Sequence, residues 1–131
     1  MNPLNTQHGG SHYKTMKIQP VEFGYANGYD NCAFSTLKYI SRHRDKAGAL
    51  DLDKALHFVE LRETMMAKYG ACVAMNEIPV LKYIKENEIP PAEAVLLTVL
   101  HGWATEKTND ADEAVKVLKG GIRDLRNHVY K

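Results

Sequence analysis

The stretch DNCAFSTLKYISRHRDKAGALDLDKALHFVELRETMMAKYG, residues 30 to 70, decides how the chain folds. Asp30 is placed to cap a helix in which Ala33, Phe34, Leu37 and Ile40 recur at the three- and four-residue steps of one helical face, through about Arg44. Lys46-Ala47-Gly48-Ala49 supplies a connection. Beyond it, Asp51 or Asp53 is placed to cap a longer helix with Leu52, Ala55, Leu56, Val59, Glu63 and Met66 in one stripe. Lys68 falls in its last turn and Gly70 is its stop. Two helices joined by so short a loop pack as an antiparallel hairpin.

On the N-terminal side, residues 1–11 are polar and glycine-rich and read as a flexible leader that becomes ordered near His12. Pro20 suits a first helical turn, and Val21, Phe23, Tyr25 and Ala26 fit a short helix ended by Gly28. On the C-terminal side, Glu77-Ile78-Pro79 and Glu88-Ile89-Pro90 punctuate the chain. Pro91 opens a helix carrying Ala92, Val95, Leu96, Val99, Leu100 and Trp103. Asp110 caps a last helix with Ala114, Leu118, Ile122, Leu125 and Val129 in register. Gly120-Gly121 inside that helix costs about 1 kcal/mol per glycine relative to alanine, which points to a kink or a close helix crossing there. No segment alternates as a strand does. The expectation is a small all-α domain of about five helices around the hairpin, with residues 12–70 as one module and 71–131 as a helical extension packed on it.

Composition narrows the function. The 131 residues suit one core, and 17 Lys and Arg against 16 Asp and Glu give a net charge of +1, which marks neither a nucleic-acid binder nor a membrane-surface protein. Any basic site must be local. Cys32 and Cys72 have no metal-ligand spacing and read as reduced, mostly buried thiols, and no metal is expected. No apolar run is long enough to span a bilayer and no signal pattern opens the chain, so a cytoplasmic location is expected.

The densest chemical cluster is Lys38 to Lys46, where Lys38, Arg42, Arg44 and Lys46 outweigh Asp45. Lys38 and Arg42, four apart, project from one helix face and suit a phosphate held between a point charge and a planar fork. The same cations also complement a helix C-terminus without any ligand. His12 and Tyr13, with Lys14 beside them, offer a donor or acceptor and an aromatic face for a nucleobase or a sugar hydroxyl. Glu22 and Asp51 flank the basic segment and suit orienting a lysine, accepting a ribose hydroxyl or capping a helix. Neither GxxxxGK[ST] nor GxGxxG occurs, which excludes an ordinary P-loop kinase. Glu60 and Glu63 form one ExxE without an ExxD partner. His101 near Trp103 reads as a core-edge residue.

The ordered series His12-Tyr13, Gln19-Pro20-Val21-Glu22, Leu37-Lys38-Tyr39-Ile40 with Arg42, and Asp51-Leu52 with Lys54-Ala55 resembles the small phage-encoded SaV-like domain, a domain of unknown function. There a histidine-tyrosine arm ending in Pro-[Ile/Val]-Glu precedes an NAIKYI-x-R helix and a DL-x-K-A helix. The resemblance covers roughly residues 8 to 66 and extends to a module of a phage nucleotide kinase that lacks a P-loop. It implies His12, Tyr13, Pro20, Glu22, Lys38, Tyr39, Arg42, Asp51 and Lys54 as site residues. Ser35 stands where that family usually has asparagine, and Arg42-His43-Arg44-Asp45-Lys46 replaces its R-A-G-x-K ending.

The resemblance implies a nucleotide or similar phosphorylated ligand. As a nucleoside-monophosphate kinase using ATP and a deoxynucleoside monophosphate, the protein would use Lys38 and Arg42 to neutralise the transferring phosphoryl group and His12 or Glu22 to position the acceptor. The alternatives are a non-catalytic sponge for a host nucleotide signal and a helical protein-interaction module. A homo-oligomer is expected in each case, since small helical domains often complete their cores between subunits.

Overall fold

The computed structural model describes residues 2–8, 10, 13 and 15–131. Six α-helices follow one another: α1 Pro20–Asn27, α2 Asn31–Arg42, α3 Ala49–Tyr69, α4 Val80–Glu86, α5 Pro91–Ala104 and α6 Ala111–Val129. Short 3-10 turns occupy Pro3–Asn5 and His43–Asp45, and no strand forms among the described residues. The architecture is all-α, with one helix more than expected because the segment after Pro79 forms a helix of its own.

The hairpin of α2 and α3 is the most extensively packed pair. It is clamped at both ends by aspartate–arginine pairs of opposite order. At the open end Asp30 caps α2 through a 2.8 Å hydrogen bond from the Ala33 amide, and its other oxygen accepts from Arg62 Nε of α3 at 2.7 Å. At the closed end Arg42 of α2 reaches Asp51 of α3. The two pairs span 32 and 9 residues of chain, the shorter nested inside the longer, as antiparallel neighbours require.

The turn between them depends on Gly48. Its φ of 61° lies in the left-handed region, and a Cβ there would meet the Tyr130 ring at 3.2 Å. Gly48 is also the cap of α3, which corrects the assignment of that role to Asp51 or Asp53. Asp51 sits instead in the first turn, fully buried, and accepts from the Ala47 amide at 3.2 Å.

One core runs through both halves of the chain, joining Phe23, Leu37, Ile40, Leu52 and Val59 to Tyr83, Leu97, Leu100, Trp103, Leu118 and Ile122. Helix α6 packs on α3 and α5, and α5 on α2. The glycine pair in α6 marks a close crossing: a Cβ on Gly121 would overlap the Leu96 side chain of α5. Two asparagines replace missing backbone partners. Asn27 exchanges hydrogen bonds with both backbone groups of Ile78, and Asn87 does the same with Ile18.

Some expected positions differ. Val95 of α5 is exposed, because the buried face is set by Leu96, Leu97 and Leu100, and on α1 the buried face of Phe23, Gly24 and Asn27 leaves Val21 and Tyr25 exposed. Cys72 is exposed and Cys32 half-buried, so the two do not share the expected burial. Near the N-terminus, Asn2 caps the Leu4 amide at 3.1 Å and the Leu4 carbonyl accepts from the Gln19 side chain.

Candidate functional site

The i, i+4 spacing on α2 places Lys38 and Arg42 on one face, and α3 brings Lys54 up beside them. All three converge on the Tyr39 ring: Lys38 Nζ lies 4.7 Å from its centroid, Arg42 Cζ 4.7 Å and Lys54 Nζ 5.4 Å. Phe58 of α3 stacks on Tyr39 at 6.0 Å and holds the ring in place. Tyr13 from the N-terminal arm accepts a 3.4 Å hydrogen bond from Arg42 Nη1 and so stands beside this cluster.

The three cations are not equivalent. Arg42 grips Asp51 through Nε at 3.2 Å and Nη2 at 3.1 Å, a two-pronged pair with a carboxylate that has no solvent exposure. Burial works against the guanidinium's charge, and the hydrogen bonds to Asp51 and Tyr13 outweigh it, so Arg42 stays above its ordinary pKa. For Tyr13, burial raises the hydroxyl above its usual value against the opposing pull of Arg42. Lys38 and Lys54 form no ion pair with any described residue. With Arg42 neutralised by Asp51, the cluster presents two uncompensated positive charges beside an aromatic ring.

Arg44 leaves in another direction. Its Nε donates to Glu93 at 2.5 Å, and His43 Nε2 meets the same carboxylate oxygen at 2.7 Å, while His43 Nδ1 lies 2.6 Å from the Tyr130 hydroxyl. Burial opposes ionisation of Glu93, but the hydrogen bonds from His43 and Arg44 prevail and hold its pKa at about 2. Arg44 and Glu93 line a cleft of about 440 Å³ with Thr15, Ser41 and Glu88 among others, and none of Lys38, Tyr39, Arg42 or Lys54 lines it.

The structure therefore brings together Tyr13, Lys38, Tyr39, Arg42, Asp51 and Lys54. Asp51 reaches the cluster through Arg42. Arg44 stands apart, bound to Glu93, and Lys46 is exposed at the end of the 3-10 turn with no ion pair to a described residue. Glu22 is exposed in the first turn of α1, where its charge suits the helix N-terminus, and makes no hydrogen bond or ion pair with a described residue. His12 and Lys14 lie outside the described residues. Glu63 of the ExxE pair is bound to Lys119 at 2.9 Å, and Asp110 caps α6. Among the described residues no group of three or more His, Cys, Asp or Glu side chains is placed to hold a metal ion. His101 is buried between the Tyr29 hydroxyl and the Asn76 side chain, and burial lowers its pKa.

Residue reasoning did not single out Phe58, Glu93 and Tyr130. The Tyr39 and Phe58 pair joins two helices, and Glu93 and Tyr130 meet the basic run from positions 49 to 87 residues away, for which local spacing carries no signal.

A family model for a protein of unknown function, DUF3310, matches residues 7–60. The matched segment holds the arm, α1, α2 and the first half of α3, and so every member of the Tyr39 cluster; α4, α5 and α6 lie beyond it. No curated protein and no solved structure matches the chain. No helix among the described residues is long and apolar enough to cross a membrane.

Proposed function

We propose that the protein binds a small phosphorylated ligand of the nucleotide type at the Tyr39 cluster. One observation carries the reading: Lys38 and Lys54 stand on either helix of the hairpin, both within 5.4 Å of one aromatic ring, with no ion pair to a described residue. Lysines left in this state suit the multiple oxygens of a phosphate group, where each charge-assisted hydrogen bond is worth about 1.5–3 kcal/mol. The resemblance of this segment to a phage nucleotide-kinase module supports the same ligand class.

The geometry favours capture over phosphoryl transfer. Arg42 would serve transfer as a mobile charge that closes on the reacting group, yet both prongs of its fork are taken by buried Asp51. The hairpin thus offers two lysines without an ion pair to a described residue, beside a ring that Phe58 stacks upon, the makings of a binding site.

Native mass spectrometry of the protein purified from cells tests this. The expected result is a retained adduct with the mass of a phosphorylated compound, absent from Lys38→Ala/Lys54→Ala. Incubation with each deoxynucleoside monophosphate and ATP distinguishes capture from turnover, and release of a nucleoside diphosphate would replace the capture reading with a kinase.

A further inference from the structure

The Tyr39 ring cannot itself accept a nucleobase on an open face, since Phe58 stacks against it and three cations crowd its surroundings. A second aromatic lies one helical turn back on the same stripe of α2. Asn31, Phe34, Lys38 and Arg42 follow at three- and four-residue steps, and Lys38 Nζ lies 5.7 Å from the Phe34 centroid as well as 4.7 Å from that of Tyr39. Lys38 is therefore the hinge between the cation cluster and a separate cleft.

That cleft, about 320 Å³, is lined by Val21, Gly24, Tyr25, Tyr29, Asn31 and Phe34. Its shape depends on Gly24, where a Cβ would stand 2.7 Å from the Phe34 ring, so the glycine lets α1 and α2 approach with Phe34 between them. The walls are mostly apolar and aromatic. Tyr25 is 89% exposed and makes no side-chain hydrogen bond or ring contact with a described residue, which leaves a large open surface for stacking. Tyr29 is tied to His101 by its hydroxyl. Asn31 is exposed and its carboxamide makes no hydrogen bond to a described residue, which leaves a donor and an acceptor side by side at the rim.

We propose that this cleft is the nucleobase subsite of the phosphorylated ligand. The base stacks between Phe34 and Tyr25, its edge meets the Asn31 carboxamide, and the phosphate lies at Lys38 and Lys54. The step along α2 from Phe34 to Lys38 is about 6 Å by the helical rise, which leaves room for a sugar between base and phosphate. Stacking and a paired carboxamide are the two means by which proteins hold a base, the first tolerant of sequence and the second selective. This assignment rests on the reading of Lys38 and Lys54 as phosphate contacts.

Calorimetric titration with ATP, GTP, CTP, UTP and inorganic triphosphate separates the two claims. At least one nucleotide is expected to bind about tenfold or more tighter than triphosphate. Tyr25→Ala and Asn31→Ala, both at exposed positions and so without consequence for folding, are expected to erase that preference and leave triphosphate affinity unchanged. Equal binding of triphosphate and every nucleotide, unaffected by the two variants, would overturn the base subsite and leave the phosphate site standing. No binding by any probe would overturn both.

Discussion

The basic run from Lys38 to Lys46 divides into two regions that the fold treats in opposite ways. Arg42 and Arg44 each meet a buried carboxylate, Asp51 on α3 and Glu93 on α5, and become fastenings between elements. Lys38, four residues before Arg42, meets none and gathers with Lys54 around Tyr39. The difference follows from side-chain chemistry. A guanidinium fork matches a carboxylate with two parallel hydrogen bonds and tolerates partial burial, whereas an ammonium on a flexible stem is strongly hydrated and stays at the surface. Charge at equal density along a sequence thus serves structure in one place and remains available for a ligand in the next.

The sharpest way to break this comparison is Asp51→Ala. It leaves Arg42 beside Lys38 and Lys54 without its counter-charge, and loss of one partner of a buried pair costs about 3–5 kcal/mol. A large fall in the urea midpoint is expected, and an unchanged midpoint would mean that the pair does not hold the hairpin.

Glu93→Gln is expected to cost about 2–3 kcal/mol, since it removes the ionised acceptor shared by His43 and Arg44. The pH dependence gives an independent check. Glu93 has a folded pKa depressed from 4.5 to about 2. Its contribution is therefore complete above pH 4.5 and is lost as pH falls toward 2, because the unfolded chain takes up the proton first. Denaturation curves over that interval should show the wild type losing stability more steeply than Glu93→Gln.

Lys38→Ala and Lys54→Ala invert the pattern. Each is expected to change stability by less than about 0.5 kcal/mol, as surface substitutions do, while weakening nucleotide binding about tenfold. Smaller than that tenfold change in binding is the effect of Asp53→Asn at the half-exposed Arg126–Asp53 pair, expected to cost under about 1 kcal/mol of stability and less in high salt.

The elements were legible where their determinants are local. Asp30 and Asp110 do cap α2 and α6, Gly28 and Gly70 do end α1 and α3, and Gly121 does sit at a close crossing. The single basic run gave the neighbourhood of the candidate site for the same reason. What stayed hidden was which cations the fold would consume, since Glu93 lies 49 residues from Arg44 and Asp51 resembles a helix cap in every local respect. The cleft between α1 and α2 was hidden too, because a short apolar helix does not say which of its residues face inward, and the packing of Phe23 and Gly24 leaves Tyr25 and Val21 outward.

The most direct measurement is calorimetric titration of ATP into the wild type and into Lys38→Ala/Lys54→Ala at low ionic strength. Saturable binding is expected for the wild type, and a loss of more than about tenfold for the double variant at little changed melting temperature. Equal binding by the two proteins would contradict this.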